Sequence, residues 1–394
     1  MRQPGSGFKT KSCGARYVAG GIRARVGDRP PVQFVSRFIG VVFGLIVASG
    51  GGALAQSDLD RVASVQSALG IEFPYTFALA RTLGPHVEAL FREPCDREAV
   101  VGLAEGLRQA GYRREAAKAL IRFSDNCRGH LDGLRRAANL LLDLSDWTAA
   151  AEVASKIIEE QPHSDNGYYL RALARDRAGK PNDAIDDYLT AIALFGDKDR
   201  ISSAGYFGVS RAYEKSGQFC EAIVPIEAWI ALNPARNDNS RTQAMIGALH
   251  AKGQCAAKAV AVDETIPITR KGQTITVPAT INGIKGMFLI DTGATFVSLK
   301  QSFADRAKIA VDMTSKVQMH TANGIAEARR GRASRIELRR VQAMDVPVIV
   351  QSDSRGTYGN GIDGLLGMSF LSRFDVVIDQ RNVRIKPRGR KDKP

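Results

Sequence analysis

The sequence predicts a two-part, multidomain fold: an all-α helical solenoid followed by an all-β domain. Three observations carry that expectation. A helix-turn-helix pattern recurs at a fixed interval of 34 residues, with Ala116, Ala150 and Ala184 in register. Past about Asp263 the apolar pattern changes from a helical period to an alternation of two. The length of 394 residues, at roughly 100–200 per domain, allows two or three separately cored parts. Apolar residues at 44% and charged residues at 24% suit a folded chain and exclude wholesale disorder.

The N-terminal region comes first. Residues 1–37 carry eight basic side chains and a single acid, Asp28. An apolar run from Phe38 to Ala48 follows, then a glycine-rich stretch ending Ala53-Leu54-Ala55-Gln56. A basic region, a short apolar core and a small-x-small site are the three parts of a secretory signal peptide, so residues 1–55 are expected to be removed after Ala55. The alternative is an uncleaved membrane anchor, because no charge interrupts Phe38 to Ala55; Ser49-Gly50-Gly51-Gly52 weakens such a span. Both readings export everything from Gln56 onward. Residues 56–96 then read as a helical lead-in.

Export gives the cysteines a meaning. Without the leader, Cys95, Cys127, Cys220 and Cys255 remain. An even number in an oxidising compartment points to two disulfides, for which four cysteines allow three pairings. None forms a Cys-x-x-Cys pair, so redox catalysis and a zinc ribbon are poorly supported.

Between residues 97 and 256 the repeat supplies the fold. Leu131–Ser164 has Ala138 in its first helix, Ala150 in its second and Pro162 at its end. Asp165–Lys198 places Ala172, Gly179, Ala184 and Tyr188 correspondingly, and Arg97–His130 places Ala104, Gly111, Ala116 and Phe123. After a four-residue slip, Ser203–Arg236 gives Tyr213, Gly217, Ala222, Trp229 and Pro234, and Ser240–Gly253 reads as a capping helix. Small residues recur where paired helices cross closely, and large ones where neighbouring units interlock. This pattern resembles the tetratricopeptide repeat, a solenoid whose concave surface takes extended peptides or partner helices. Cys95 and Cys127 are 32 apart, and Cys220 and Cys255 are 35 apart, so each pair joins near-equivalent points of successive turns. Cys95–Cys127 and Cys220–Cys255 are therefore the preferred pairs.

Residues 263–390 carry the chemistry. Gln273–Ile281 alternates around Ile275, Val277, Ala279 and Ile281, and Asn282-Gly283 is a hairpin turn. The return strand, Met287 to Ile290, runs into Asp291-Thr292-Gly293-Ala294-Thr295. An apolar strand ending in Asp-Thr-Gly resembles the active-site turn of the retropepsin-like aspartic proteases, specifically their bacterial single-lobe branch. The resemblance implies that Asp291 is the catalytic carboxylate that activates water. Thr292 would lock two facing turns together, and Gly293, followed by Ala294, would let them approach closely. It also assigns Leu365-Leu366-Gly367 as the apolar segment packed behind the turn. Phe374–Asp379 and Val383–Pro387 then read as a closing hairpin with its turn at Asn382, and Asn323-Gly324 as the tip of a flap that excludes water from bound peptide.

One carboxylate cannot supply both base and acid, and no second Asp-Thr-Gly or Asp-Ser-Gly exists. Asp363-Gly364 lacks the hydroxyl residue and belongs to the Leu-Leu-Gly element. A homodimer with Asp291 from each copy across a two-fold axis is therefore expected.

Other features carry less. Gly359 to Gly364 spells G-x-G-x-x-G, yet a dinucleotide site needs a helix after it. The histidines His86, His130, His163, His250 and His320 are scattered, so no metal is expected, nor any cofactor. The net charge of +14 divides into +7 in residues 1–55, −2 in 56–262 and +9 in 263–394. Half of it belongs to the export signal, which removes the case for a nucleic-acid partner. The basic tail from Arg384 to Lys391 could touch anionic lipid headgroups at a membrane surface.

Together these features suggest an exported, periplasmic aspartic endopeptidase, membrane-anchored if its leader is retained. Its substrate would be an extended protein or peptide segment, with a partner protein or the substrate itself recruited by the repeats. The alternative is a non-catalytic envelope adaptor whose repeats bind a partner and whose β-domain dimerises or holds peptide.

Overall fold

The computed structural model describes residues 55–197, 201–255, 259–260, 262–271, 274–321, 324–353, 358–379 and 381–387. Residues 1–54, where most of the expected leader falls, lie outside the described residues. Two helices, α1 (Gln56–Leu69) and α2 (Phe77–Arg92), lead into four antiparallel pairs. These are α3 (Arg97–Gln109) with α4 (Arg113–Asn126), α5 (Leu131–Asp143) with α6 (Trp147–Glu160), α7 (Asp165–Arg177) with α8 (Pro181–Leu194), and α9 (Ser203–Lys215) with α10 (Phe219–Leu232). A short α11 (Pro234–Asn237) and α12 (Ser240–Gly253) close the array.

Local chemistry sets each pair. Asp96, Asp146, Ser164 and Ser202 cap the first turns of α3, α6, α7 and α9 by accepting backbone amides. Between the two helices of each unit one residue is left-handed: Gly111 (φ 92°), Ser145 (φ 60°), Gly179 (φ 76°) and Gly217 (φ 73°). Three of the four are the residue for which that conformation carries no Cβ penalty. Where helices cross, Ala116, Ala138, Ala150, Ala172, Ala184 and Ala222 are fully buried. The register therefore describes a tetratricopeptide-like solenoid, as the spacing predicts. Both preferred disulfides are present, Cys95–Cys127 and Cys220–Cys255, with Cα atoms 5.5 and 5.6 Å apart.

The β-domain begins with β1 (Ala259–Val260), β2 (Glu264–Pro267) and β3 (Thr269–Lys271), followed by the hairpin β4 (Thr274–Ile281) and β5 (Ile284–Ile290). Asn282 (φ 50°) and Gly283 (φ 85°) make the tight turn between them, the geometry that matches strand twist. Then come β6 (Val297–Lys300), α13 (Gln301–Arg306), β7 (Ala310–Val311), β8 (Val317–Thr321), β9 (Gly324–Leu338) and β10 (Val341–Gln351). The chain ends with β11 (Gly364–Leu366), α14 (Met368–Leu371), β12 (Phe374–Ile378) and β13 (Asn382–Pro387). In the main sheet the order runs β10-β6-β11-β5-β4-β9, and β9 also pairs with β10, so these six strands close into a ring. Phe288, Leu299, Phe303, Ile336, Leu338 and Phe370 fill it and are fully buried.

A second sheet, β12-β13-β2, covers one side through Ile266, Val383 and Ile385. Asn382 opens β13 rather than forming the turn; Asp379 accepts the amides of Arg381 and Asn382, both at 2.8 Å, and makes the bend instead.

All described residues belong to one compact unit spanning Gly52–Pro394. Its two halves share a core: Phe296, Val317, Ala328 and Ile349 of the β-domain are buried with Ile185, Tyr213 and Ile226 of the repeats. Arg330 pairs with Asp186, Arg332 with Glu221, and the Ser372 hydroxyl donates to Glu227 across the same seam. Among the described residues no helix is long and apolar enough to cross a membrane.

Candidate active site

β5 delivers Asp291 to the top of the ring. Its Phe288 is buried in the core, so the strand direction and register are fixed before the turn begins. The Leu365-Leu366-Gly367 segment comprises the end of β11 and the residue after it. β11 lies between β5 and β6, parallel to the first (Leu366 opposite Ile290) and antiparallel to the second (Gly364 opposite Leu299). The strands entering and leaving the turn are therefore held apart by a third strand, and the turn must bridge them.

Backbone bonds lock that bridge. The Asp291 amide donates to the Leu366 carbonyl at 3.1 Å. Met368 and Ser369, the first amides of α14, donate to the carbonyls of Ala294 (2.8 Å) and Thr295 (2.9 Å). The Ser369 hydroxyl accepts the Val297 amide at 2.9 Å. Gly367 is required by this closeness: a Cβ there would stand 2.3 Å from the Phe296 carbonyl oxygen. Within the turn, Asp291 Oδ1 accepts the Gly293 amide at 2.9 Å, an Asx-type closure that orients the carboxylate.

The turn is presented outward. Asp291, Thr292 and Gly293 are all exposed, and among the described residues the Asp291 carboxylate has no ion pair and the Thr292 hydroxyl no partner. A cavity of about 370 Å³ lies elsewhere, lined by Gln301, Ser302, Asp305, Glu327, Arg329 and Asp353 among others, and includes no residue of the turn.

Asp363 is committed to structure. Its carboxylate accepts the Met287 amide at 3.0 Å and pairs with Arg306 at 3.3 Å, bracing β5. Gly359 and Gly361 take positive φ in a turn that leads into β11, a strand, where a dinucleotide site would need a helix.

The flap residues divide. Thr321 pairs with Gly324, so β8 and β9 form a hairpin connected by residues 322 and 323. Gly324 (φ 109°) is the first residue of β9. Asn323 lies outside the described residues, and so does the side chain of His320 on β8.

Sequence reasoning missed two polar features. Ser369 follows the Leu-Leu-Gly segment closely enough to have been suspected as a brace. The other is a chain in which Gln351 Nε2 donates to Ser298 Oγ at 2.9 Å and the Tyr358 hydroxyl bonds the same oxygen. Burial pushes the Tyr358 hydroxyl pKa up. Its members are 53 and 60 residues apart from Ser298, and no local pattern signals them.

A crystal structure of a retropepsin-like aspartic protease from Rickettsia conorii is 25% identical, covering 32% of this chain and 99% of that one, with a TM-score of 0.26. MamA 41-end from Desulfovibrio magneticus RS-1 is 16% identical over 47% of this chain and 99% of its own, with a TM-score of 0.35. YrrB, described as a TPR protein with an unusual peptide-binding site, is 15% identical over 48% and 88%, with a TM-score of 0.35. No curated protein compared with the chain matches it. Residues 277–373, about a quarter of the length, match the family described as "gag-polyprotein putative aspartyl protease". The fold is thus a tetratricopeptide-like helical region followed by a β-rich domain that matches the retropepsin-like fold.

Proposed function

We propose that this chain is an exported aspartic endopeptidase that acts as a homodimer. In this reading Asp291 and its counterpart in a second copy share one proton. The ionised carboxylate takes a proton from water as the water attacks the scissile carbonyl, and the protonated one polarises that carbonyl. Thr292, Gly293 and Ala294 hold the two turns in register, and Leu365, Leu366 and Gly367 back each of them. The repeats recruit substrate or a partner protein, and the two disulfides suit an oxidising compartment outside the cytoplasm.

The observation that carries the reading is the exposed Asp-Thr-Gly turn, braced by the Leu-Leu-Gly strand in a chain that offers one such carboxylate.

The test is cleavage of a mixed peptide pool across a pH series, with Asp291→Asn as the comparison. Hydrolysis should follow a bell-shaped pH curve belonging to the pair and fall by roughly 10²–10⁴-fold in the variant. Activity per mole should rise with protein concentration as dimers form. A confirmed dimer that releases no products, with or without Asp291, would leave the adaptor as the better account.

A further inference from the structure

The repeats and the β-domain meet along two branches of one seam. On the first, α8 lies beside β8, in the place of a further strand. There the Lys316 amide donates to Asp186 Oδ2 and the Gln318 amide to Thr190 Oγ1, each at 3.0 Å, and Arg330 of β9 pairs with the same Asp186. On the second branch α10 meets α14, and from there the contacts run on to the Asp291 turn.

α14 is a single turn. The Phe370 and Leu371 amides both return to the Gly367 carbonyl, and the Ser372 amide to that of Met368, each at 3.0 Å. A helix shorter than about 12–15 residues is not held by its own bonds, so α14 stands where its two ends are gripped. At the first end, Met368 and Ser369 donate to the Ala294 and Thr295 carbonyls, and Ser369 Oγ accepts the Val297 amide. At the other end, the Ser372 hydroxyl lies between the Met368 carbonyl, at 2.5 Å, and the Glu227 carboxylate of α10. Glu227 and Ser372 are 6% and 5% exposed, so this bond forms away from water, where it is stronger. Next to it, Arg373 donates to the carbonyls of Ser369 (3.1 Å), Met344 (2.6 Å) and Asp345 (3.2 Å). Burial pushes the Arg373 guanidinium down from its ordinary pKa, and Glu227 is the strongest charge acting against that.

The support on the repeat side is stiff. Every residue of α10 from Glu221 to Ile230 is buried, and Cys220–Cys255 ties the start of the helix to the chain just after α12. Met368 packs against both the β-domain core and the cluster that holds Ile226 and Trp229 of α10.

We propose that Glu227 is a positioning residue for the Asp291 turn: through Ser372 it sets where α14 stands, and α14 sets the backbone that presents Asp291. The link rests on the contacts; its consequence for turnover rests on the endopeptidase reading. In that reading two carboxylates must meet in register, and an error of about 1 Å costs on the order of 10²-fold in rate. The repeats are then part of the active-site framework as well as a recruiting surface.

The test uses the full chain and compares Glu227→Leu, Glu227→Gln (which keeps an oxygen to accept from Ser372), Ser372→Ala and, on the other branch, Asp186→Asn. Ser372→Ala removes one hydroxyl and probes the same link should Glu227→Leu fold poorly. Peptide hydrolysis is followed across pH, and amide exchange is resolved at Asp291 and Val297, which donate to the Leu366 carbonyl and to Ser369 Oγ. Positioning predicts exchange at least about tenfold faster at both amides in Glu227→Leu and Ser372→Ala. In the same variants kcat should fall at least about tenfold while KM stays within about twofold of native. The limbs of the pH profile should move toward each other, because carboxylates held less closely split their titrations less. Glu227→Gln and Asp186→Asn should stay near native in all three measurements. Native exchange at Asp291 and Val297 in either perturbed variant that folds overturns the proposal. So does an equal loss in Asp186→Asn or Glu227→Gln, or a lower kcat with an unchanged pH profile. If no form hydrolyses peptide yet the two amides respond, the link stands and the endopeptidase reading fails.

Discussion

Gly367→Ala tests whether the Leu-Leu-Gly strand braces the Asp291 turn. Gly367 has φ −101° and ψ −169°, extended backbone that alanine adopts freely, so only crowding counts. The added Cβ would stand 2.3 Å from the Phe296 oxygen, 2.6 Å from its carbonyl carbon and 2.7 Å from the Ala294 oxygen. All three are backbone atoms, and relief means moving residues 294–296 by about an ångström. That movement breaks or stretches the bonds from Met368 to Ala294, from Ser369 to Thr295 and from Val297 to Ser369 Oγ. At about 1 kcal/mol for each bond, and more where a buried partner is orphaned, the loss should be about 3–5 kcal/mol. Domains have roughly 5–15 kcal/mol in hand, so the variant should fold with a weakened β-domain. Both tryptophans, Trp147 and Trp229, lie in the repeats, so fluorescence would report the wrong half. Amide exchange in β5 and β11 against urea is the suitable assay. A loss below about 1 kcal/mol, in a variant that still hydrolyses peptide at the native rate, would refute the brace.

Two further outcomes follow from the geometry. Gly179→Ala should cost about 1–2 kcal/mol in a urea titration, because its Cβ meets nothing within 4 Å and the whole penalty is that of left-handed backbone. Ser145→Gly, at the equivalent turn, should be neutral or stabilise by up to about 1 kcal/mol. For pH, burial pushes the Asp186 carboxyl up to about 6 from 3.8, against the attraction of Arg330 and with Asp312 adding repulsion. Arg330 on β9, Asp312 after β7 and Tyr213 on α9 are the charged or titratable groups coupled around it, and Lys316 faces it through its amide. The folded chain thus binds this proton more tightly than the unfolded chain, so the contribution to stability is complete below 3.8 and lost as pH rises through 6. Relative to Asp186→Asn, the native chain should lose about 1 kcal/mol between pH 5 and pH 7. A parallel pair of stability curves would contradict it.

The repeats were legible because their signal is local. Alanines at 34-residue spacing and left-handed turn residues follow from helix crossing and chain reversal, both contained within one unit. The hairpin at Asn282-Gly283 and the strand into Asp291 were legible for the same reason. The cysteine pairs could be read once the period was known, since a repeat converts sequence distance into spatial distance. The β8–β9 hairpin was legible at Asn323-Gly324, because Asn-Gly is a local turn signal, and Gly324 opens β9. Asn382 misled, because the bend belongs to the Asp379 side chain, three residues earlier. The seam between α8 and β8 was invisible. Asp186 and Lys316 are 130 residues apart, and nothing in either neighbourhood announces a helix that will stand in for a strand.

The Cys220–Cys255 bond has a consequence for the chain as a polymer. It closes a loop holding α10, α11 and α12, just ahead of the β-domain. A single backbone cut anywhere inside that loop leaves the repeats and the β-domain covalently joined. A chain nicked there by any protease migrates as one species until a thiol separates it into two fragments. Two-chain and one-chain forms would then share a mass to within one water. They would differ in a new amino terminus, and in the freedom of α10–α12 to shift against one another.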